Sequence, residues 1–135
     1  FDIHNTGVGP AQIHDFKNLV DGQPVSSQGW LIDNLSKACC NEARAEALAA
    51  AGGNPQAMLG PDTTTPVASR SLAPNERVSA IRWPKTDSNA VLWRQVDLAR
   101  QSGRIQMRAC YCSVFDECWA ANSHKFPQQP VRSCI

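Results

Sequence analysis

Ile105-Gln106-Met107-Arg108-Ala109-Cys110-Tyr111-Cys112-Ser113-Val114-Phe115-Asp116-Glu117-Cys118-Trp119-Ala120-Ala121 is the stretch whose reading decides the fold. Ile105, Met107, Ala109 and Tyr111 alternate with Gln106, Arg108, Cys110 and Cys112. That period of two belongs to a half-buried strand, because successive strand side chains point to opposite faces. Phe115-Asp116-Glu117 predicts a tight turn returning the chain into a second strand from Cys118. Facing cysteines in such a hairpin have Cβ atoms about 4.5–5.5 Å apart. Cys112 and Cys118 are therefore expected to form a cross-strand disulfide. Its short loop contributes only about 2.4 kcal/mol of chain entropy, but it pins the register.

The other cysteines are Cys39, Cys40, Cys110 and Cys134, six in all in a chain of 135 residues. An even count in one ordinary domain fits a disulfide framework in an oxidising compartment. The competing reading is a metal site. Zinc knuckles use C-x2-C, whereas these spacings are C-C, C-x-C and C-x5-C with no histidine close by. A bond between adjacent Cys39 and Cys40 closes a strained ring, so the expectation is that each pairs elsewhere. Cys110 would then bond one of them and Cys134 the other, tying helix, sheet and tail together. The functional rival is a thiol-exchange site at the C-x-C of Cys110 and Cys112.

Toward the N-terminus, Phe1-Asp2-Ile3-His4 reads as a strand, Asn5-Thr6-Gly7-Val8-Gly9-Pro10 as a turn cluster, and residues 11–20 as a longer strand. Asp21-Gly22 predicts a hairpin turn, since both positions tolerate positive φ. Pro24 lacks an amide donor, which places the returning strand at an edge. Trp30, Leu31, Asn34, Leu35 and Ala38 then fall at helical spacing. Residues 41–51 are almost wholly strong helix formers, ended by Gly52-Gly53, with Asn41 as the expected N-cap of a second helix. Residues 54–74, rich in Pro, Thr, Ser and Gly, read as one long surface loop. Residues 77–83 predict a strand ended by Pro84. Asp87 or Ser88 is the expected cap of a third helix with the stripe Val91, Leu92, Val96 and Ala99. Residues after 121, with Pro127 and Pro130, read as a tail.

Together these elements predict a single α+β domain over residues 1–135, a β-sandwich-like antiparallel core with inserted helices. The immunoglobulin-like character is what Asn5-Thr6-Gly7-Val8-Gly9-Pro10-Ala11 implies, since it resembles connections in immunoglobulin-like sandwiches. No apolar run is long enough to span a bilayer. Because the chain opens in mid-strand at Phe1 and its cysteines call for export, the expectation is that an upstream export signal or membrane anchor precedes it. Thirteen basic and twelve acidic side chains give a formal charge of +1 with no basic stripe, which argues against nucleic acid as a partner.

Few residues point to chemistry. His4 and His14, with Asp2 or Asp15, are the weak candidates for a metal site if their strands pair; the plainer reading puts both rings on the solvent face. The remaining histidine, His124, joins no such pattern. No Gly-x-Ser-x-Gly elbow or phosphate loop is present, and Asp116, Glu117 and Asp62 read as solvated loop carboxylates. The expectation is no catalytic residue, no cofactor and no metal. Trp30, Trp83, Trp93 and Trp119 are read as core or boundary side chains rather than a binding platform.

Asn5-Thr6-Gly7-Val8-Gly9-Pro10-Ala11 followed by Val20-Asp21-Gly22, together with Tyr111-Cys112-Ser113-Val114-Phe115-Asp116-Glu117-Cys118-Trp119, resembles a group of uncharacterised bacterial proteins. Members of that group carry an N-terminal membrane helix and one periplasmic domain. The resemblance covers both ends of the chain and leaves its middle uncovered. It implies periplasmic placement, tethering through an anchor upstream of Phe1, a first strand that also precedes Phe1, and no known activity. On these grounds the chain is expected to be an exported binding or scaffold module for a protein partner in the cell envelope, presenting residues 54–74 and the 115–117 turn. An exported enzyme with an unrecognised site, or a secreted effector or inhibitor, is the alternative.

Overall fold

The structure, a computed structural model, describes residues 1–134, with residue 126 described by its backbone alone. The fold class is α+β, with antiparallel sheets, four helices among the described residues and disulfide-bonded cysteines. The strands fall into one six-stranded sheet and two two-stranded ribbons, and the sandwich arrangement is evident only to that extent. Contacts divide the chain into two compact units. The first comprises residues 1–17, 64–81 and the segment from Met107 onward; the second comprises residues 18–63 and 82–106.

In the first unit, β1 (Asp2–His4) pairs antiparallel with β6 (Arg77–Ser79), and β5 (Arg70–Leu72) pairs with the start of β2 (Ala11–Val20). The hairpin expected with its turn at Phe115-Asp116-Glu117 is present. β8 (Ile105–Ser113) and β9 (Cys118–Asn122) run antiparallel with Cys112 opposite Cys118, and these two are bonded. The tail is a correction. Residues 125–131 form β10 (Lys125–Val131), antiparallel to β9 with a register shift between Lys125 and Gln129. Its prolines hid it, yet an edge strand tolerates missing donors on its outer side. Ile13, Val67, Leu72, Val78, Ala80 and Met107 form this unit's buried core.

In the second unit, the end of β2 turns at Asp21 (φ 50°) and Gly22 (φ 81°) into the short β3 (Gln23–Val25), as the Asp-Gly pair predicts. Two helices follow, α1 (Leu31–Cys39) and α2 (Asn41–Ala50), broken at Cys40. Cys40, not Asn41, occupies the cap position. The buried face of α1 is Leu31, Ile32, Asp33, Leu35 and Ser36; Leu31 and Leu35 are buried as expected, Asn34 is only half-buried, and Ala38 and Trp30 (44%) are exposed. In α4 (Ala90–Gln101), Leu92, Val96 and Ala99 are buried while Val91 faces solvent. Its cap is Asn89, buried, donating to Leu59 O (2.7 Å) and Pro84 O (3.0 Å) and accepting from Thr86 N (2.7 Å).

Residues 54–74 are not one loose loop. They contain α3 (Pro55–Leu59), capped by Asn54, the two-residue β4 (Thr63–Thr64) and β5. Met58, Leu59, Val67 and Leu72 are buried, because each polar stretch there is punctuated by an apolar anchor. Residues 77–83 form two short strands, β6 and β7 (Ile81–Arg82), separated at the buried Ala80. β4 and β7 make the second two-stranded ribbon.

The disulfide pairing corrects the expectation in two of three bonds. Cys110 bonds Cys134 in the first unit, and Cys39 bonds Cys40 in the second. The break between α1 and α2 takes Cys40 out of helical geometry (φ −144°, ψ 45°), which lets neighbouring sulfurs meet. The C-x-C pair is divided between two bonds, Cys110–Cys134 and Cys112–Cys118, so it forms no dithiol of its own.

Candidate functional site

The first unit contains a hollow of about 630 Å³, within the usual size range of ligand pockets. Its floor follows from the hairpin register. Tyr111 lies opposite Trp119, and their rings stack with centroids 5.7 Å apart at 25°. The next same-face pair is Ala109 opposite Ala121. Two bulky rings beside two methyl groups leave a depression that no side chain fills. Tyr111 donates from its hydroxyl to Gln128 Oε1 at 2.6 Å, and burial pushes its phenol above the ordinary value. By strand alternation Cys110, Cys112 and Cys118 project to the opposite face.

Two loops form the walls. The Asn5 side chain holds the first: Oδ1 accepts from Gly7 N (3.0 Å), and Nδ2 donates to Gly9 O (2.9 Å) and Leu72 O (3.0 Å). A Cβ on Gly7 would stand 3.2 Å from Asn5 Oδ1, so this tight turn favours glycine there. Asn5 N donates to Glu76 O and Asn5 O accepts from Asn75 N, which fixes the foot of the loop. Val8 is left fully in solvent. The second wall is the hairpin tip. Ser113 N donates to Glu117 O, Phe115 N donates to Ser113 Oγ, and Asp116 takes positive φ (59°). Val114 and Phe115 are 67% and 83% exposed. An exposed valine on one wall and an exposed Val-Phe pair on the other are apolar surface with no intramolecular use.

The chemistry-bearing residues singled out from sequence are mostly not gathered here. The strand of His4 pairs with β6 rather than with that of His14, and Arg77 lies 3.4 Å from His4 Nδ1 and 3.9 Å from Asp2. A guanidinium at that position opposes a bound cation. His14 is exposed, and Asp15 pairs with Lys17 at 3.4 Å. Among the described residues the only cluster with metal-ligand spacing is Cys112, Cys118 and Cys134. Those sulfurs are already in disulfides, with Cys112 Sγ 3.7 Å from Cys134 Sγ. His4, Ser113 and Glu117 line the hollow, but no hydrogen bond joins any two of their side chains among the described residues. Asp116 is at the exposed tip and Asp62 lies in the other unit beside Trp30. Trp83, Trp93 and Trp119 are half-buried boundary residues; Trp83 Nε1 donates to Leu59 O and Trp93 Nε1 to Trp83 O.

Sequence reading missed Asn5, Tyr111 and Gln128 as builders of the site. One signal was present. An aromatic residue precedes Cys112 and another follows Cys118, so a disulfide between directly opposed cysteines sets the two rings opposite each other as well. No protein-family model, no curated protein and no solved structure matches this chain.

Proposed function

We propose that this chain is an exported binding module that receives an extended peptide segment with bulky apolar side chains in the hollow between residues 5–10 and 113–117. One observation carries the reading. The two motifs that stand at opposite ends of the sequence, Asn5-Thr6-Gly7-Val8-Gly9-Pro10-Ala11 and the Tyr111–Trp119 hairpin, line the same hollow. Stacked aromatics with a polar edge are the surface that peptide partners use as anchors. The disulfides place the chain in an oxidising compartment. No helix is long and apolar enough to cross a membrane among the described residues. Tethering to the inner membrane and a partner within the cell envelope are supported by the resemblance of the end motifs to anchored periplasmic proteins.

The test is site-specific photocrosslinking in native envelope. A photoreactive phenylalanine at Val8 or Phe115 is expected to capture the same protein, and the same group at Trp30, in the other unit, to capture none. Equal labelling from all three positions, or turnover of a small substrate in a screen of the purified domain, would overturn the binding-module reading in favour of an enzyme.

A further inference from the structure

Three disulfides are present, and one of them holds nothing together. Cys110–Cys134 closes a loop of 24 residues in separation and ties β8 to the tail; Cys112–Cys118 joins two strands. Cys39–Cys40 links consecutive residues that the peptide bond already joins. A cross-link stabilises by limiting the unfolded chain, and that effect is smallest when the loop is shortest. The bend between α1 and α2 also has its own support. Arg44 donates from Nε to Asp33 Oδ1 (2.7 Å) and from its NH2 group to Asp33 Oδ2 (3.1 Å), across the junction.

Placement points to chemistry instead. Cys112 and Cys118 are buried, whereas Cys39 and Cys40, like Cys110 and Cys134, are partly exposed, and only Cys39–Cys40 closes no loop of chain. Both line an open groove of about 770 Å³ in the second unit, beside α2 and α4. Exposed disulfides are the ones that thiolates reach. Cys40 occupies the N-cap of the ten-residue α2, and its side chain makes no capping hydrogen bond. The first-turn amides and the helix dipole at that end favour a negative sulfur, against which the Glu42 carboxylate in the same turn acts.

We propose that Cys39–Cys40 is a thiol–disulfide exchange site whose substrate is a dithiol. A thiolate of the dithiol attacks Cys39 Sγ. The Cys39–Cys40 bond breaks, its electron pair leaves on Cys40 Sγ at the N-terminus of α2, and a mixed disulfide forms at Cys39. The second thiol of the substrate loses its proton and attacks the substrate's own sulfur in that mixed disulfide. Cys39 leaves as thiolate, and the substrate departs as a closed disulfide. Two electrons pass from dithiol to protein, and the two protons released by the substrate's thiols match the two that Cys39 and Cys40 take up. The Asp33–Arg44 pair keeps the junction bent throughout, so the two thiols stay adjacent and the bond can re-form.

The test uses protein purified from an oxidising compartment and equilibrated in dithiothreitol at a series of reduced-to-oxidised ratios. Free thiols are trapped with maleimide and mapped by peptide mass spectrometry. Cys39 and Cys40 are expected to open as a pair at a dithiol-to-disulfide ratio at least tenfold lower than Cys110, Cys112, Cys118 and Cys134, with the far-ultraviolet spectrum unchanged. Glutathione in place of the dithiol is expected to leave its adduct on Cys39, and C39S/C40S to abolish the early step. Opening of all six cysteines together with unfolding, a persistently closed Cys39–Cys40 bond, free thiols at 39 and 40 in the exported protein, or an adduct mainly on Cys40 would each overturn the assignment.

Discussion

Replacing Arg44 by alanine tests the account of the α1–α2 bend most directly. Were α1 and α2 one continuous helix, residues 33 and 44 would lie about 16 Å apart along its axis, at 1.5 Å per residue. Instead the guanidinium grips the carboxylate through two bonds of 2.7 and 3.1 Å. The two side chains are only 12% and 13% exposed. The pair therefore belongs near the buried class, where removing one partner costs about 3–5 kcal/mol, rather than the exposed class at about 0.2–1 kcal/mol. Residual solvent contact lowers the expectation to about 2–4 kcal/mol for Arg44→Ala, part of it lost packing of the arginine stem. The interaction itself is isolated by the cycle of Arg44→Ala, Asp33→Ala and the double variant, measured by urea unfolding. The coupling energy should be about 1.5–3 kcal/mol, the value of charge-assisted bidentate hydrogen bonds. A coupling under about 0.5 kcal/mol would equal an exposed surface pair and refute the claim that this contact holds the junction.

Tyr111 is the sole tyrosine, so phenolate absorbance reports it alone. Its titration midpoint should lie above the ordinary 10.0, because burial disfavours the phenolate. The stability this contributes is full below the unfolded value and is lost as pH rises through the higher folded value; a midpoint at or below 10.0 would contradict the buried floor of the hollow. Asp21 accepts two hydrogen bonds from Arg104 at 2.9 Å, which hold its carboxyl below 3.8. Its contribution should persist above that value and vanish as pH falls through the lowered one, and Arg104→Gln should return the carboxyl resonance midpoint to the ordinary range in an NMR titration. Asn89→Ala strands Thr86 N and the Pro84 carbonyl in a buried site, and should cost about 2–4 kcal/mol in chemical denaturation. Val8→Asp and Phe115→Asp change fully or largely exposed positions, so thermal unfolding should stay within about 0.5 kcal/mol of the parent while crosslinked partner is lost.

Local signals carried the secondary structure well where one interaction dominated. Asp21-Gly22 could turn only one way, and Ile105 to Tyr111 had one periodicity available. They failed where two contributions competed. Pro127 and Pro130 argued against a strand, but pairing with β9 outweighed the absent donors. Residues 54–74 had loop composition, and four buried apolar side chains within it decided otherwise. The exposure of Val91 and the burial of Ile32 show the limit of periodicity. A helical stripe fixes spacing, while the neighbouring elements select the face. The vicinal bond was set aside for its ring, a reason that holds for cysteines inside regular structure and loses force at a helix break.

The hollow of the first unit was illegible for a different reason. It depends on residues about a hundred positions apart, and no local pattern encodes which strand of the N-terminal half lies near the hairpin. What the sequence did hold was chemistry without placement: a lone tyrosine, a tryptophan across a disulfide, and an Asn-x-Gly turn. Each is ordinary alone. The register that opposes Cys112 to Cys118 also opposes Tyr111 to Trp119, so the same bond that stabilises the hairpin sets the aromatic floor. It follows that loosening the hairpin and emptying the site are one event. Reduction of Cys112–Cys118 should disorder the Tyr111–Trp119 stack and remove crosslinking at Phe115, while opening Cys39–Cys40 should leave both intact. If selective opening of Cys39–Cys40 abolished capture at Phe115, the assignment of stapling to one pair and exchange to the other would be wrong.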